Sequence, residues 1–516
     1  MTDPVSLSWL DDPPDTPTGV TWGTPWERGA LSRDDGVVLT DETGSPHPVQ
    51  TWPTAFWPDG SVKWTGHAAV FDAGSDTGFD VARAESVAAD GTGDATTTGT
   101  LEETLTVAVG DDAISVDTGA ITCRIGRSGR AVVREIETAE GAVCTDGRLV
   151  ARRETRVADD GRRTATRERF ESRIEDATVE REGPIRTVVK VEGVHAAVEG
   201  ARADGLGEDG EWLPFTLRLE LYAGLDTVGM THTFVYDGDP ETEFVAGLGV
   251  SFAVPMSGPD YDRHVRFGGD DGLFREPVRP LPPGVRDDSL RERQVAGDPL
   301  ATADDAGDDD WRAQIADVTP WDQFRLVQDS PDHYGVSKTA GADHCWVDAT
   351  HGSRASGLGF VGSDAGGLAV GVRDFWETYP SSLEATDLRA DEARLTAWFW
   401  SPDGDPMDLR TYDDPGRNEG GLSAAYGGVD EELSTARGVA NTSELTLTPF
   451  DGVPDGQTLR GRIAEVRDPS LLVCAPERYH DVGVFGRWSL EDRSTHRRAW
   501  IEDQLDAAIE FYRDEI

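Results

Sequence analysis

The run LPFTLRLELYAGLDTVGMTHTFVYDGD, residues 213–239, decides the fold of this chain. Its apolar and polar side chains alternate along two segments joined by a short turn, and a period of two is typical of β-strands with one buried face. Two further runs, RTVVKVEGVHAAVEG at 186–200 and FVAGLGVSFAVP at 244–255, are predicted to be strands of the same kind. Long strands connected by tight turns predict a large antiparallel β-sandwich.

The strand pattern continues outward from this run and indicates the domain boundaries. Residues 1–100 alternate short apolar runs with turn clusters, as in VVLTDETGSPHPVQTW at 37–52, and are predicted to form a small β-barrel or sandwich. They end in AADGTGDATTTGT at 88–100, which is poor in large apolar residues and predicts a linker. Residues 101–474 are assigned to the central sandwich, with 270–310 as a surface excursion. The predicted fold class is therefore mainly β.

The pattern changes in the last segment, residues 475–516. Apolar residues recur there at spacings of three and four, on one face of a helix: Trp500, Ile501, Leu505, Ala508, Ile509, Tyr512 and Ile516. Ser494 or Thr495 is a suitable N-cap for this helix. Two alternatives follow for the apolar face. It docks on the sandwich, or it belongs to the first helix of an all-α domain absent from this chain.

The chain is strongly acidic, with 97 Asp and Glu against 48 Lys and Arg and a formal charge of −49. This balance disfavours a nucleic-acid partner. Only three lysines occur, Lys63, Lys190 and Lys338, and such a composition is typical of extreme halophiles, haloarchaea included. In molar salt the Debye length falls to about 3 Å, so the charge does not exclude an anionic substrate.

Several functional classes find no support in the sequence. Four scattered cysteines form no CxxC pair, so no zinc centre, redox centre or cofactor is predicted. The first ten residues lack the features of a signal peptide, and no apolar run approaches the ~20 residues of a membrane helix, so a cytoplasmic protein without a membrane partner is expected. Acidic turns at 236–243, 269–274 and 347–352 could bind Ca²⁺, but a chain rich in Asp has such turns by composition, and no metal site is predicted.

Three stretches combine aromatic rings with polar groups: TWPTAFWPDGSVKWTGHA at 51–68, THTFVYDGDP at 231–240 and GLAVGVRDFWETYP at 367–380. Carbohydrate sites are built in this way, because sugar rings present apolar faces to aromatics while their hydroxyls and carboxylates need fixed polar partners. In the third stretch Arg373 is the candidate to neutralise a carboxylate, and Trp376 and Tyr379 are candidates to stack on sugar rings. The alternatives are an exposed ion pair for the arginine and ordinary core positions for the two aromatics.

The chain resembles the exo-acting rhamnogalacturonan lyases of polysaccharide lyase family 26 and their YetA-like relatives. The resemblance covers nearly the whole chain and lies in motifs that occur in the family's order: GVTWGTPWERGAL at 19–31, WPDGSVKWTGHA at 57–68, HTFVYDGDP at 232–240, DSPDHYGVSK at 329–338, the 367–380 stretch and WFWSPDGDPMDL at 398–409. It implies an N-terminal RIFT-type barrel, a central β-sandwich and a C-terminal α/α toroid, of which only the linker and first helix are present. Thr411 stands where relatives are expected to carry histidine.

The resemblance implies cleavage by β-elimination beside a galacturonate. A base removes the proton α to the carboxylate, a cation stabilises the enolate-like transition state, and the leaving oxygen receives a proton. His333 and Tyr334 are the first candidates for base and acid, with Lys338 near them as a substrate contact. In a strand these two side chains would point to opposite faces, whereas a loop would allow both to act.

Further candidates complete the expected site. Tyr479 and His480 form the second acid–base pair, while Lys63, His67 and Arg410 are predicted substrate contacts, although packing is the favoured alternative for Lys63 and His67. His232 is predicted to be a satisfied, half-buried core histidine. The expected partner is a uronate-containing oligo- or polysaccharide, together with a possible separate α/α-toroid chain. The competing hypothesis is a non-catalytic sugar-binding or structural β-protein.

Overall fold

The computed structural model describes residues 4–84, 96–98, 104–159, 162–198, 210–270, 272–285, 287–300, 311–410 and 436–515. The chain forms two compact units. One comprises Met1–Glu102 together with Ser470–Ile516, and the other comprises Glu103–Pro469.

The strands follow one another along the chain with few helices between them. The first eight are β1 (Val5–Trp9), β2 (Thr18–Pro25), β3 (Val37–Asp41), β4 (Pro46–His47), β5 (Val49–Phe56), β6 (Val62–Phe71), β7 (Gly78–Arg83) and β8 (Thr96–Thr98). The next ten are β9 (Thr106–Val109), β10 (Ala113–Asp117), β11 (Thr122–Gly126), β12 (Val133–Thr138), β13 (Gly141–Asp159), β14 (Arg162–Arg181), β15 (Arg186–Ala197), β16 (Glu211–Tyr222), β17 (Val228–Val235) and β18 (Glu243–Pro255). The remainder are β19 (His264–Gly268), β20 (Leu273–Pro277), β21 (Gln323–Ser330), β22 (His333–Thr339), β23 (Val347–Gly352), β24 (Leu358–Ser363), β25 (Gly366–Val372), β26 (Ser381–Thr386), β27 (Glu392–Trp400), β28 (Ala440–Phe450) and β29 (Leu472–Cys474).

Helices are short except near the end of the chain. They are α1 (Asp288–Ala296), α2 (Trp311–Ala316), α3 (Gly456–Arg467), α4 (Pro476–Val482) and α5 (His496–Glu515), with one 3-10 turn at Asp260–Asp262. None of the helices in the described ranges has the length and apolar character needed to cross a bilayer.

The first unit contains two small antiparallel sheets. One has the order β29-β1-β7-β3-β4 and the other β2-β6-β5-β8. Their inward side chains form one core that includes Trp22, Trp26 and Phe71. The strand Leu472–Cys474 pairs with β1, so the chain returns to this unit after the sandwich.

The second unit is one antiparallel network of strands β9–β28 with additional pairings, among them β13–β18, β18–β27 and β25–β28. Burial alternates along β15 and β16, as a strand with one solvated face requires. β18 pairs with β13 on one edge and with β27 on the other, and nearly all its residues are buried, so both of its faces pack against other parts of the unit. One large apolar core runs through this unit, and two smaller clusters lie beside it, one that includes Trp311 and one that includes Phe360.

The sequence prediction of a mainly β chain is confirmed. In the predicted linker, residues 96–98 form strand β8, and the rest of 88–100 lies outside the described residues. The predicted terminal helix corresponds to α5, and the hydroxyl of Thr495 accepts a hydrogen bond from the amide of Arg498 at 3.3 Å, as an N-cap does. Helix α3 was not predicted.

Candidate functional site

A groove of about 440 Å³ lies on one face of the β21–β22–β23 sheet, and we call it the His333 groove. Its polar lining comprises Arg325, Asp329, His333, Ser337, Asp348, Thr350, His351 and Asp403. Two other grooves, both beside Gly269 and Asp270, contain no histidine in their linings. The His333 groove is therefore the candidate functional site.

Strand register explains why these side chains meet. In antiparallel pairing Arg325 faces Ser337, and Gly335 faces His351. Alternate residues share a face, so the odd-numbered positions of β21 and β22 line the groove. A register shift between Val336 and Ser337 inserts one extra residue in β23. Such a bulge re-aims side chains, and it allows Asp348 and His351 to face the same groove.

His333 and Asp329 form the central pair of the groove. Nδ1 of His333 lies 2.9 Å from Oδ1 of Asp329. A carboxylate only accepts hydrogen bonds, so Nδ1 donates and the neutral ring keeps its lone pair on Nε2. The ring of His351 lies nearly parallel to that of His333, with 6.5 Å between centroids. This arrangement offers one oriented base and a second titratable ring beside it.

Arg325 is held firmly at the other end of the groove. Its Nη1 donates to Oδ1 of Asp403 at 2.8 Å and its Nε to Oγ of Ser337 at 3.0 Å. The guanidinium lies 4.2 Å from the ring centroid of Trp346. The indole is 39% exposed, so an aromatic surface borders the polar groove, as sugar sites require.

Tyr334 and Lys338 lie on the opposite face of the sheet. The segment 333–339 is strand β22 rather than a loop, so Tyr334 turns inward and is buried. The Tyr334 ring packs so close to Gly352 that a Cβ atom added at Gly352 would lie 2.5 Å from the ring. Lys338 forms an ion pair with Glu276 and lies 4.3 Å from the ring centroid of Trp321. Neither side chain lines the His333 groove.

Arg373 follows β25 and forms an ion pair. Its Nη1 lies 2.8 Å from Oε2 of Glu444, and both side chains are substantially exposed. Trp376 lies three residues further along the chain, and the guanidinium of Arg354 stacks 4.1 Å from the centroid of its indole ring. Tyr379 is 43% exposed. The structure therefore gives Arg373 the partner expected of an exposed ion pair.

In the first unit Lys63 and His67 are both satisfied by protein groups. Nζ of Lys63 donates to the carbonyl of Val484 at 3.2 Å. The ring of His67 is fully buried and bonds to the hydroxyls of Thr51 at 2.9 Å and Thr65 at 2.6 Å. Burial lowers the pKa of His67 to about 3. A ring enclosed in this way makes no contact with solvent.

Tyr479 and His480 lie on α4, also in the first unit. The Tyr479 ring packs 6.0 Å from that of Trp64, and its hydroxyl accepts from the amide of Cys474 at 3.2 Å. Burial raises the pKa of Tyr479 above its usual value, which disfavours a phenolate. His480 is partly exposed and bonds Asp481 at 3.2 Å.

His232 is buried, but it is not satisfied as predicted. Neither ring nitrogen has a hydrogen-bond partner among the described residues, because the ring is stacked 5.3 Å from Phe399 and faces core side chains. Burial lowers its pKa to about 3. Arg410 bonds Asp408 and lies 5.1 Å from the ring of Phe244, while Thr411 lies outside the described residues.

Within the described ranges, no three His, Cys, Asp or Glu side chains are grouped to hold a metal ion. The segment 347–352 is strand β23, not a turn.

Sequence reasoning missed most of the groove. Arg325, Asp329, Asp348, His351 and Asp403 come from three strands and a turn, and only the register brings them together. The one signal in the sequence was THG at 350–352, which places a histidine beside a glycine at the end of a short segment with few apolar residues.

These two β-rich units define a barrel-and-sandwich protein, and comparison with known proteins gives its family. Family models match the PcRGLX-like N-terminal RIFT barrel domain at residues 3–84, the central beta sandwich domain at 105–464 and the C-terminal alpha/alpha toroid domain at 469–516. The chain belongs to the PcRGLX-like proteins.

A curated relative and two solved structures resemble the chain. The uncharacterized protein YetA of Bacillus subtilis is 38% identical over 99% of this chain, which spans 57% of YetA. A glycosyl hydrolase family 38 protein from Enterococcus faecalis is 9% identical, with a TM-score of 0.47 over 92% of this chain and 47% of that one. A galactose mutarotase-like protein from Clostridium acetobutylicum is 8% identical, with a TM-score of 0.30 over 68% of this chain and all of that one. TM-scores this low support no functional argument.

Proposed function

We propose that this chain is the barrel-and-sandwich part of a carbohydrate-active protein that cleaves a rhamnogalacturonan-type glycan by β-elimination beside a galacturonate. The observation that carries the proposal is the Asp329–His333 pair in a groove bordered by Trp346 and a second histidine. Membership of the PcRGLX-like proteins supports it.

The proposed reaction uses His333 as base. Nε2 takes the proton α to the uronate carboxylate, the bond from the β-carbon to the glycosidic oxygen breaks, and a double bond forms between the two carbons. The departing oxygen takes a proton, for which His351 is the nearest titratable ring. Asp329 holds the His333 tautomer and stabilises the imidazolium that forms.

The test is incubation with pectic rhamnogalacturonan in molar KCl, following the ultraviolet absorbance of an unsaturated uronate. His333→Gln should lower the rate by about 10²-fold or more, because a positioned base contributes about 10²–10⁴-fold. Asp329→Asn should cost less, because it removes the carboxylate that orients the ring but leaves the base in place. His344→Gln removes an exposed histidine outside the groove and is the matched control. Full activity in His333→Gln would contradict the assignment of the base.

A second candidate is a sugar-binding module without catalysis. The side chains of His333 and Asp329 are 52% and 57% exposed, whereas electrostatic stabilisation of a transition state is strongest where water is excluded. Binding of the glycan without release of an unsaturated product would favour this function.

We further propose that helices of the toroid type cover α5. Six large apolar residues on this helix are each at least half exposed: Trp500, Ile501, Leu505, Ile509, Phe511 and Tyr512. Such a patch marks an interaction surface. The C-terminal part of YetA, beyond the region matched here, can be supplied as a separate polypeptide. Co-elution with the wild-type chain, lost in Leu505→Asp, is expected, and failure to co-elute would count against this partner.

A further inference from the structure

Arg354 is a cation that no sequence motif singled out. It follows β23, and the backbone amides of Ser353 and Arg354 both donate to the carboxylate of Asp270, which fixes the loop. The guanidinium lies 4.1 Å from the ring centroid of Trp376. Its Nη2 approaches Oδ1 of Asp332 only to 3.7 Å, and the side chain is 46% exposed. The arginine is therefore oriented by the indole and keeps donors that face solvent.

Helix α3 carries two further arginines near Asp270. Burial raises the pKa of Glu377, the neighbour of Trp376, and the positive charges of Arg467 and Arg354 oppose that rise. Arg467 and Arg460 on helix α3 line a groove of about 250 Å³ together with Asp270. Arg467 reaches Asp468 only at 4.0 Å. The lining of this groove also contains Asp468, so its two arginines are balanced by two carboxylates, and Arg354 is the arginine whose donors remain available to a ligand.

We propose that Arg354 binds the carboxylate of a uronic acid ring, with Trp376 fixing the plane of its guanidinium. A planar guanidinium matches a carboxylate through two parallel N–H donors, and stacking on the indole leaves that edge free. Asp332, within 3.7 Å of Arg354, precedes His333 in the chain, so this site adjoins the His333 groove. Asp332 is the carboxylate beside Arg354 that a bound uronate would compete with.

The inference shares its ligand class with the proposed function, and the test therefore measures binding rather than turnover. The full chain is titrated calorimetrically in molar KCl with tetragalacturonate and with its carboxyl-reduced, neutral counterpart. Arg354→Gln should weaken binding of the acidic oligosaccharide about tenfold or more, as expected for loss of a charge-assisted pair, and leave binding of the neutral one within twofold. Arg354→Lys should retain part of the affinity that Arg354→Gln loses, since lysine keeps the positive charge but cannot form the two parallel hydrogen bonds of a guanidinium.

Two further variants sharpen the test. Asp332→Asn removes the competing carboxylate and should strengthen binding of tetragalacturonate, a gain that a merely structural role for this surface would not produce. Arg218→Gln removes an arginine that is 45% exposed and paired with Glu180, and should change neither titration.

The outcomes separate this inference from the proposed function. Equal effects of Arg354→Gln on both oligosaccharides, no effect on either, or a selective loss in Arg373→Gln instead would overturn the Arg354 site. Absence of tetragalacturonate binding by the wild-type chain would overturn it as well. Selective binding without formation of unsaturated product would leave the Arg354 site standing and reject the lyase reaction.

Discussion

Acidification from pH 7 to pH 5 should destabilise the sandwich unit through histidines that the fold keeps neutral. Burial lowers the pKa of His232 and His264 to about 3 and that of His195 to about 4. An unfolded chain binds protons at these positions below about pH 6.5, whereas the folded chain does not. The stabilisation is therefore complete above pH 6.5 and is lost progressively as the pH falls toward 3 or 4.

The size of the effect follows from the size of the pKa shift. Each histidine lowers the free energy of unfolding by about 1.4 kcal/mol per pH unit below 6.5, hence by about 2 kcal/mol at pH 5. Three such residues in the sandwich amount to about 6 kcal/mol, comparable with the whole stability of a typical domain, about 5–15 kcal/mol. His67 is the fully buried histidine of the first unit. With one such residue rather than three, the first unit should lose less stability in acid than the sandwich.

A variant series isolates one of these contributions. His232→Phe keeps a ring beside Phe399 and loses no hydrogen bond to any described residue. Urea unfolding at constant molar KCl should show that the wild-type free energy of unfolding falls about 2 kcal/mol more than that of His232→Phe between pH 7 and pH 5. Carboxyl groups titrate alike in both proteins, including Glu384, whose pKa burial raises. The partly exposed His480, replaced by Gln, is the control. Parallel pH profiles for wild type and His232→Phe would refute the reasoning.

Three other perturbations have defined outcomes. Lowering KCl below a few hundred millimolar should abolish cooperative folding, because 49 uncompensated negative charges repel one another when unscreened; an unchanged melting temperature from low to molar salt would remove the halophile argument. Deleting residues 493–516 should barely change the melting of the sandwich, since the apolar face of α5 is exposed, and a large drop would show that the helix belongs to the core. Gly352→Ala should lower the free energy of unfolding by about 1–3 kcal/mol, because the added Cβ would lie 2.5 Å from the Tyr334 ring. Gly272→Ala is the control, because a Cβ added there would have no atom within 4 Å. Equal melting temperatures for the two variants would mean that the Tyr334 ring moves aside without a loss of stability.

The alternation of apolar and polar residues along the sequence determines the β character of this chain. In β15 and β16 the period of two corresponds directly to buried and solvated faces, because the geometry of a strand is local. The spacing of three and four in α5 likewise follows from helix geometry and predicts the type of element, while its apolar face is exposed. Strong local periodicity is sufficient to specify the type of an element.

Only the tertiary structure decided which polar residues meet. Arg373 was the strongest arginine candidate in the sequence, yet pairing of β25 with β28 places it against Glu444. Arg354 had no local signal, and its position on Trp376 depends on loops far apart in the chain. His333 and Tyr334 are adjacent in sequence but are separated by the sheet, because successive side chains of a strand point to opposite faces. The His333 groove arises from register and from one bulge in β23, and neither is encoded in the spacing of the residues that line it.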